Sequence, residues 1–326
     1  MTWRAGGGAR RTVPALAVGL AVSAALTLAV APSVPPAAEP APPGTRPAGT
    51  VTTARAEPVP ARPAVLPGPA PVGPGVVTET AGAGLCTAGF VFTSGDRTFL
   101  AQAAHCGGTG DETETDGCTS DAVPLGTPVT VRGTDRTVTG TLAWSSWNTM
   151  QARGERDSDT CAYNDLALVE LPRDARSAVG AAVPFFGGPD RVRTAAPAVG
   201  TPVFGLANPP DAAGVRTVGA RAGAIAGEVG GGWGHSVYSL TPGVAGESGS
   251  PLLDGEGRAV GVLSSLSTTA DRPSIEYTDL ARALAYAERT DGPPGLTLAA
   301  GAPFTATPPG VDPRALALPA GPGLGR

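Results

Sequence analysis

Between residues 78 and 290 short apolar segments alternate with turn residues, and that rhythm limits the possible folds more than any other feature. Cys86 to Thr93 alternates loosely, Ser94-Gly95-Asp96 turns, and Thr98 to Ala104 returns, which is a hairpin signature. Further strands are expected at Pro128 to Arg132, Thr137 to Trp144, Asp165 to Leu171, Pro202 to Leu206, Ser236 to Leu240 and Ala259 to Ser264. Many short strands at such spacing specify an all-β barrel or sandwich. One helix is expected to close the domain. Leu280, Ala283, Leu284 and Ala287 recur at i, i+3, i+4 and i+7, Thr278 offers a cap, and Asp291-Gly292-Pro293 ends the run after Arg289.

The ends read differently. Glycine (47) and proline (35) make up about a quarter of the 326 residues, and proline is concentrated outside the strand-rich middle. Residues 1–31 carry Arg4, Arg10 and Arg11 ahead of an apolar run from Val13 to Ala31, the layout of a secretory signal peptide. That run of 19 residues also suffices to span a bilayer as an uncleaved anchor. Residues 32–77 and 291–326 are rich in Pro, Ala and Gly and lack a periodic apolar pattern. Such segments bury too little surface to offset their ordering entropy, so the first reads as a spacer or propeptide and the second as a disordered tail. A net charge of −5 provides no basic footprint for nucleic acid.

Four cysteines, at 86, 106, 118 and 161, read as two disulfides in an exported chain, with three pairings open. With two histidines in the whole sequence and no Cys-x-x-Cys pair, a Cys/His zinc site is not expected. The acidic run Asp111, Glu112, Glu114 and Asp116 supplies oxygen ligands of the kind calcium takes, but lacks a glycine-bearing calcium-loop pattern and reads as a solvated loop. His235, beside Gly230 to Gly234, is expected at the surface, and Trp144, Trp147 and Trp233 in the packing.

The chemistry gathers in three stretches. Gly246-Glu247-Ser248-Gly249-Ser250-Pro251 presents a serine between glycines just before an apolar run, so that the backbone N–H groups of Gly246 and Ser248 can point at one oxyanion. Ala103-Ala104-His105-Cys106 and Asn164-Asp165-Leu166-Ala167-Leu168 lie upstream, 143 and 83 residues before Ser248. A serine hydroxyl needs a base to become a nucleophile, histidine has a suitable pKa, and a carboxylate fixes the imidazole tautomer.

His, Asp and Ser in that order, with those flanks, resemble the chymotrypsin-like serine proteases, bacterial secreted type, over about Leu85 to Arg289. The resemblance implies two six-stranded antiparallel β-barrels closed by a C-terminal helix, in a protease domain over 78–290. It makes Ser248 the nucleophile, His105 the general base and Asp165 the orienting acid. It also implies protein or peptide substrates, no cofactor or metal, a monomer and an extracellular location. It pairs Cys86 with Cys106, which leaves Cys118 for Cys161.

Departures from the family pattern bear on activation and selectivity. Glu247 replaces the aspartate that animal members use to bind a newly cut N-terminal amine, and no Ile-Val-Gly-Gly-like start occurs near residue 78. Ser250 replaces a glycine, and no cysteine precedes the Ser248 loop. Val260 to Leu266 resembles the strand lining the primary pocket, which points to Pro242, Ser264 and Leu266 as its walls. Pro242 stands where trypsin-type pockets carry aspartate, so selection of Arg or Lys is not expected. Leu266 replaces a glycine and narrows the slot toward small or medium apolar side chains. Two other activities stay open on this scaffold: a non-catalytic binding or cell-envelope protein, and a serine esterase.

Overall fold

The computed structural model describes residues 70–111, 114–208, 218–267, 274–308 and 310–312. The leader, most of the 32–77 spacer and the end of the tail lie outside the described residues, as does Glu112 of the acidic run. Among the described residues no helix is long and apolar enough to cross a membrane.

The first half of the domain contains β1 (Val77–Thr80), β2 (Leu85–Thr87), β3 (Val91–Ser94), β4 (Arg97–Gln102), β5 (Pro128–Arg132), β6 (Thr137–Ser145), the helices α1 (Ser146–Arg153) and α2 (Ser158–Tyr163), and β7 (Ala167–Leu171). The second half contains β8 (Pro202–Ala207), β9 (Gly219–Val229), β10 (Gly234–Ser239), β11 (Pro251–Asp254), β12 (Ala259–Ser267), β13 (Ser274–Asp279), α3 (Leu280–Arg289) and the short β14 (Thr297–Leu298). The expected hairpin forms as β3 and β4, with Ser94 opposite Arg97. All strand pairings are antiparallel.

The second half closes into a six-stranded barrel in the order β10-β13-β12-β11-β8-β9. The first half is a sheet of eight strands in the order β14-β3-β4-β7-β6-β5-β1-β2. Strand β6 shows how the pattern is set. Its residues alternate between exposed and buried, and the buried Val138, Leu142 and Trp144 join the core. The largest apolar cluster holds Phe90, Phe92, Phe99, Trp144 and Trp147, and also Phe186, Phe204 and Leu253 from the second half, so the two halves share one interior. A smaller cluster of Val203, Ile225, Val237, Leu252, Val260, Leu263, Ile275 and Tyr277 fills the closed barrel.

Four expectations need correction. The helix cap is Asp279, whose carboxylate accepts from Arg282 N at 2.7 Å, while the hydroxyl of Thr278 donates to the carbonyl of Tyr163. His235 is not a surface residue: it is 1 % exposed on β10 and pairs through Nε2 with Asp279 Oδ2 at 2.8 Å. The residues after 291 do not all form a loose tail. Thr297 and Leu298 pair with Thr93 and Phe92, and Phe304 packs edge-on against Phe204 at 5.6 Å. Likewise Val72, in the expected spacer, is fully buried and bridges to Val179. The three tryptophans are buried as expected, at 1–3 % exposure.

Candidate active site

His105 sits on a short 3-10 turn, Ala104–Gly107, directly after β4. Cys106 is disulfide-bonded to Cys86 on β2, which ties that turn to the neighbouring strand. Asp165 follows α2, which is held from the other side by the Cys118–Cys161 disulfide. Ser146, at the start of α1, brackets the aspartate. Its hydroxyl donates to the carbonyl of Asn164 at 2.6 Å and accepts from Leu166 N at 3.1 Å. The result is a carboxylate only 3 % exposed, with one orientation.

That carboxylate takes three hydrogen bonds. Oδ1 accepts from the backbone N–H of His105 at 2.8 Å, and Oδ2 lies 2.6 Å from His105 Nδ1 and accepts from Ser264 Oγ at 2.7 Å. Burial pushes the Asp165 carboxyl up, but the His105 charge and these hydrogen bonds outweigh it and hold it below the usual carboxylate value. Burial pushes the imidazole down, and the charge and hydrogen bond of Asp165 reverse that, so His105 lies above its ordinary value. Trp147 stands behind the imidazole with ring centroids 6.3 Å apart.

Ser248 comes from the loop between β10 and β11, and glycine is required on both sides of it. Gly246 and Gly249 have φ of +86° and +89°, a region that favours glycine. A Cβ on Gly249 would also strike the carbonyl oxygen of Thr87 and stand 3.0 Å from Ala103 N. The serine loop can therefore dock closely on the first half. Thr87 N donates to Ser248 O at 2.9 Å, and Thr87 Oγ1 donates to Gly246 O at 2.8 Å. Among the described residues the N–H groups of Gly246 and Ser248 have no acceptor within the chain.

Beneath this loop lies an ion pair. Glu247 is fully buried and meets Arg221 Nη2 at 2.7 Å, and Arg221 is itself 2 % exposed. The same carboxylate accepts from Asn208 N and Val244 N. Arg221 also donates to the carbonyls of Leu206 and Pro242. The Glu247 charge is thus met from inside the barrel, by Arg221.

His105, Asp165, Ser248, Gly246, Ser264 and Leu266 all line one cleft of about 680 Å³ at the seam between the two halves. Its other rim carries Asp111, Glu114 and Asp121, whereas Asp116 turns its carboxylate to Cys118 N. Pro242 is not among the walls of the cleft. Among the described residues the Ser248 hydroxyl makes no hydrogen bond to the imidazole. Both disulfides pair as the resemblance implies.

Sequence reasoning named Ser264 as a pocket wall and missed that its hydroxyl binds Asp165. It also missed Ser146 and Arg221. An arginine set in the apolar run Gly219-Ala220-Arg221-Ala222 was the available signal for Arg221, since a charge inside a strand of small residues demands a buried partner.

No family model matches the sequence, and no curated protein matches it. Solved structures similar to this chain include Thermobifida fusca protease A, at 18% identity and a TM-score of 0.41 over 71% of this chain and 99% of that one. A Nocardiopsis protease matches at 18% identity and 0.40, over 70% of this chain and 98% of that one. Cellulomonas bogoriensis chymotrypsin matches at 19% identity and 0.40, also over 70% and 98%. An eight-stranded first sheet, a closed six-stranded second barrel, a C-terminal helix and a cleft at the seam that draws on both halves together make this the chymotrypsin-like two-barrel fold.

Proposed function

We propose that this chain is an exported serine endopeptidase that cuts peptide bonds through an acyl-enzyme on Ser248. His105 takes the proton from the Ser248 hydroxyl during attack and later returns it to the leaving amine. Asp165 holds the imidazole with Nδ1 protonated and stabilises the cation that forms. The N–H groups of Gly246 and Ser248 receive the oxyanion. Water then attacks the acyl-enzyme with His105 again as base. The two disulfides suit an oxidising compartment outside the cytoplasm.

One observation carries this reading: a buried carboxylate fixed by three hydrogen bonds grips the far side of an imidazole whose own cleft contains Ser248. The missing contact between Ser248 and His105 is compatible with it, because catalytic hydrogen bonds in unliganded sites are often long and tighten with substrate. Labelling by a fluorophosphonate probe tests it, with Ser248 the expected site of modification. Ser248→Ala should abolish labelling and lower peptide turnover on the order of a millionfold. A protein that takes no label and turns over neither peptides nor esters would instead be a binding scaffold.

A further inference from the structure

The space that would take the substrate side chain before the cut is already filled, and this bears on substrate choice. With the carbonyl oxygen on the N–H groups of Gly246 and Ser248, that side chain must enter between two stretches of chain flanking those donors. One is the lead-in Pro242 to Ala245, and the other is the end of β12, Ser264 to Leu266. A Cβ built on Gly243 would collide with Leu266 Cδ2 and stand 3.3 Å from Ile275 Cγ1 and 3.5 Å from Ile275 Cδ1. Among the described residues, the two apolar side chains thus lie against the glycine backbone and leave no slot behind it. The cleft ends accordingly: Val244, Ala245, Ser265 and Leu266 form its wall, whereas Gly243 and Ile275 do not reach it.

The two fillers differ in how freely they can move. Ile275 is 4 % exposed and belongs to the apolar cluster inside the closed barrel, so it cannot withdraw without unpacking that core. Leu266 is 37 % exposed at the end of β12. No charge faces the gap from the lead-in. The carbonyl of Pro242 is taken by Arg221, and Arg221 is neutralised by Glu247. Glu276 follows Ile275 on β13 and points out of the barrel interior, and its carboxylate is taken up by Ser265 Oγ, which donates to it at 2.8 Å beside the cleft wall.

We propose that Leu266 and Ile275 together plug the primary side-chain pocket, so that the enzyme cuts after glycine or alanine and rejects larger or charged residues there. The proposal rests on the serine protease reading above. Its test uses the full-length chain and a peptide p-nitroanilide series with Gly, Ala, Leu, Phe, Arg or Glu before the cut. Active enzyme is counted by fluorophosphonate labelling of Ser248. A filled pocket discriminates by roughly 10- to 200-fold per misfit methylene, so kcat/KM for Ala should exceed that for Leu and Phe by about a hundredfold or more. Leu266→Gly should raise the Leu-to-Ala ratio of kcat/KM by about tenfold or more, with Leu266→Ala as the milder version. That ratio is insensitive to the fraction of folded protein. A labelled enzyme that prefers Leu, Phe, Arg or Glu overturns the plug and leaves the protease reading standing. So does an unchanged ratio in both variants. Absence of both labelling and cleavage overturns the two together.

Discussion

A carboxylate taken out of water must have its charge compensated, and at Asp165 the compensation comes from groups whose removal has a directional effect. In the proposed mechanism the imidazole of His105 must be neutral to act as base, and its pKa lies above the ordinary value because Asp165 outweighs burial. The acid limb of kcat/KM should therefore lie above about 6.5, the unperturbed histidine value. A limb well below that value would show that burial wins. The hydroxyl of Ser264 shares Oδ2 with His105. In Ser264→Ala the carboxylate loses a donor and leans harder on the imidazolium, so the limb should move to still higher pH. A hydrogen bond to a charged group is worth about 1.5–3 kcal/mol, which bounds the accompanying loss in kcat/KM at roughly ten- to a hundredfold. A rate loss without a limb shift would mean Ser264 acts only through packing. The two groups affect stability in opposite windows. The contribution of Asp165 is present above its unfolded value and lost as pH falls through its lowered folded value. That of His105 is present below its unfolded value and lost as pH rises through its raised folded value.

At the scale of elements, the serine loop is short and glycine-rich, and what stiffens it is the Glu247–Arg221 pair under it. Removing one partner of a buried pair leaves the other charge stranded, at a cost of about 3–5 kcal/mol. Arg221→Met should therefore lower stability by that order in chemical denaturation. Because Glu247 also holds Val244 N and Asn208 N, the variant should lose kcat more than it raises KM, through disorder of the N–H groups of Gly246 and Ser248. A stable variant with unchanged kcat would show that the loop holds its shape unaided. The same strand explains where sequence reading fell short. Segments with strong alternation, such as Thr137 to Trp144, were legible because burial every second residue leaves a mark in the hydrophobic pattern. Strand β9, Gly-Ala-Arg-Ala-Gly-Ala-Ile-Ala-Gly-Glu-Val, has side chains too small to leave one, and it was not anticipated. Helix α1 was missed for a related reason. It buries Ser146, Trp147, Thr149 and Met150, two of them polar, and has no side-chain cap, so tertiary contact rather than its own apolar pattern makes it helical. The His105, Asp165 and Ser248 motifs stood out because each carries distinctive local flanks, whereas Arg221 and Ser146 act through contacts the linear order does not record.

Across the whole molecule, the segment after α3 is a strap rather than a free end. Strand β14 extends the first sheet at β3, and Ala299 N donates to Val91 O at 2.9 Å. The chain then crosses to the connection before β8, where Gly188 N donates to Ala302 O at 2.7 Å and Thr305 N to Phe186 O at 2.7 Å. Phe304 ends on Phe204 of the closed barrel, which in turn packs on Phe186 at 5.5 Å. Composition hid this, because prolines and glycines spaced along a strap look the same as those of a loose tail until the partner strand is known. Deleting residues 294–326 would uncover the β3 edge and the Phe186–Phe204 pair. Burying one such aromatic side chain is worth about 1.5–3 kcal/mol, and a domain of this size shifts by roughly 2–4 °C per kcal/mol. The truncated protein should thus melt several degrees lower. An exposed strand edge is a template for pairing with another chain, so it should also self-associate on heating where the full chain does not. The strap lies outside the cleft, so fluorophosphonate labelling of Ser248 at low temperature should persist. An unchanged melting temperature would mean that these contacts contribute little, and the two barrels would then be held together by their shared core alone.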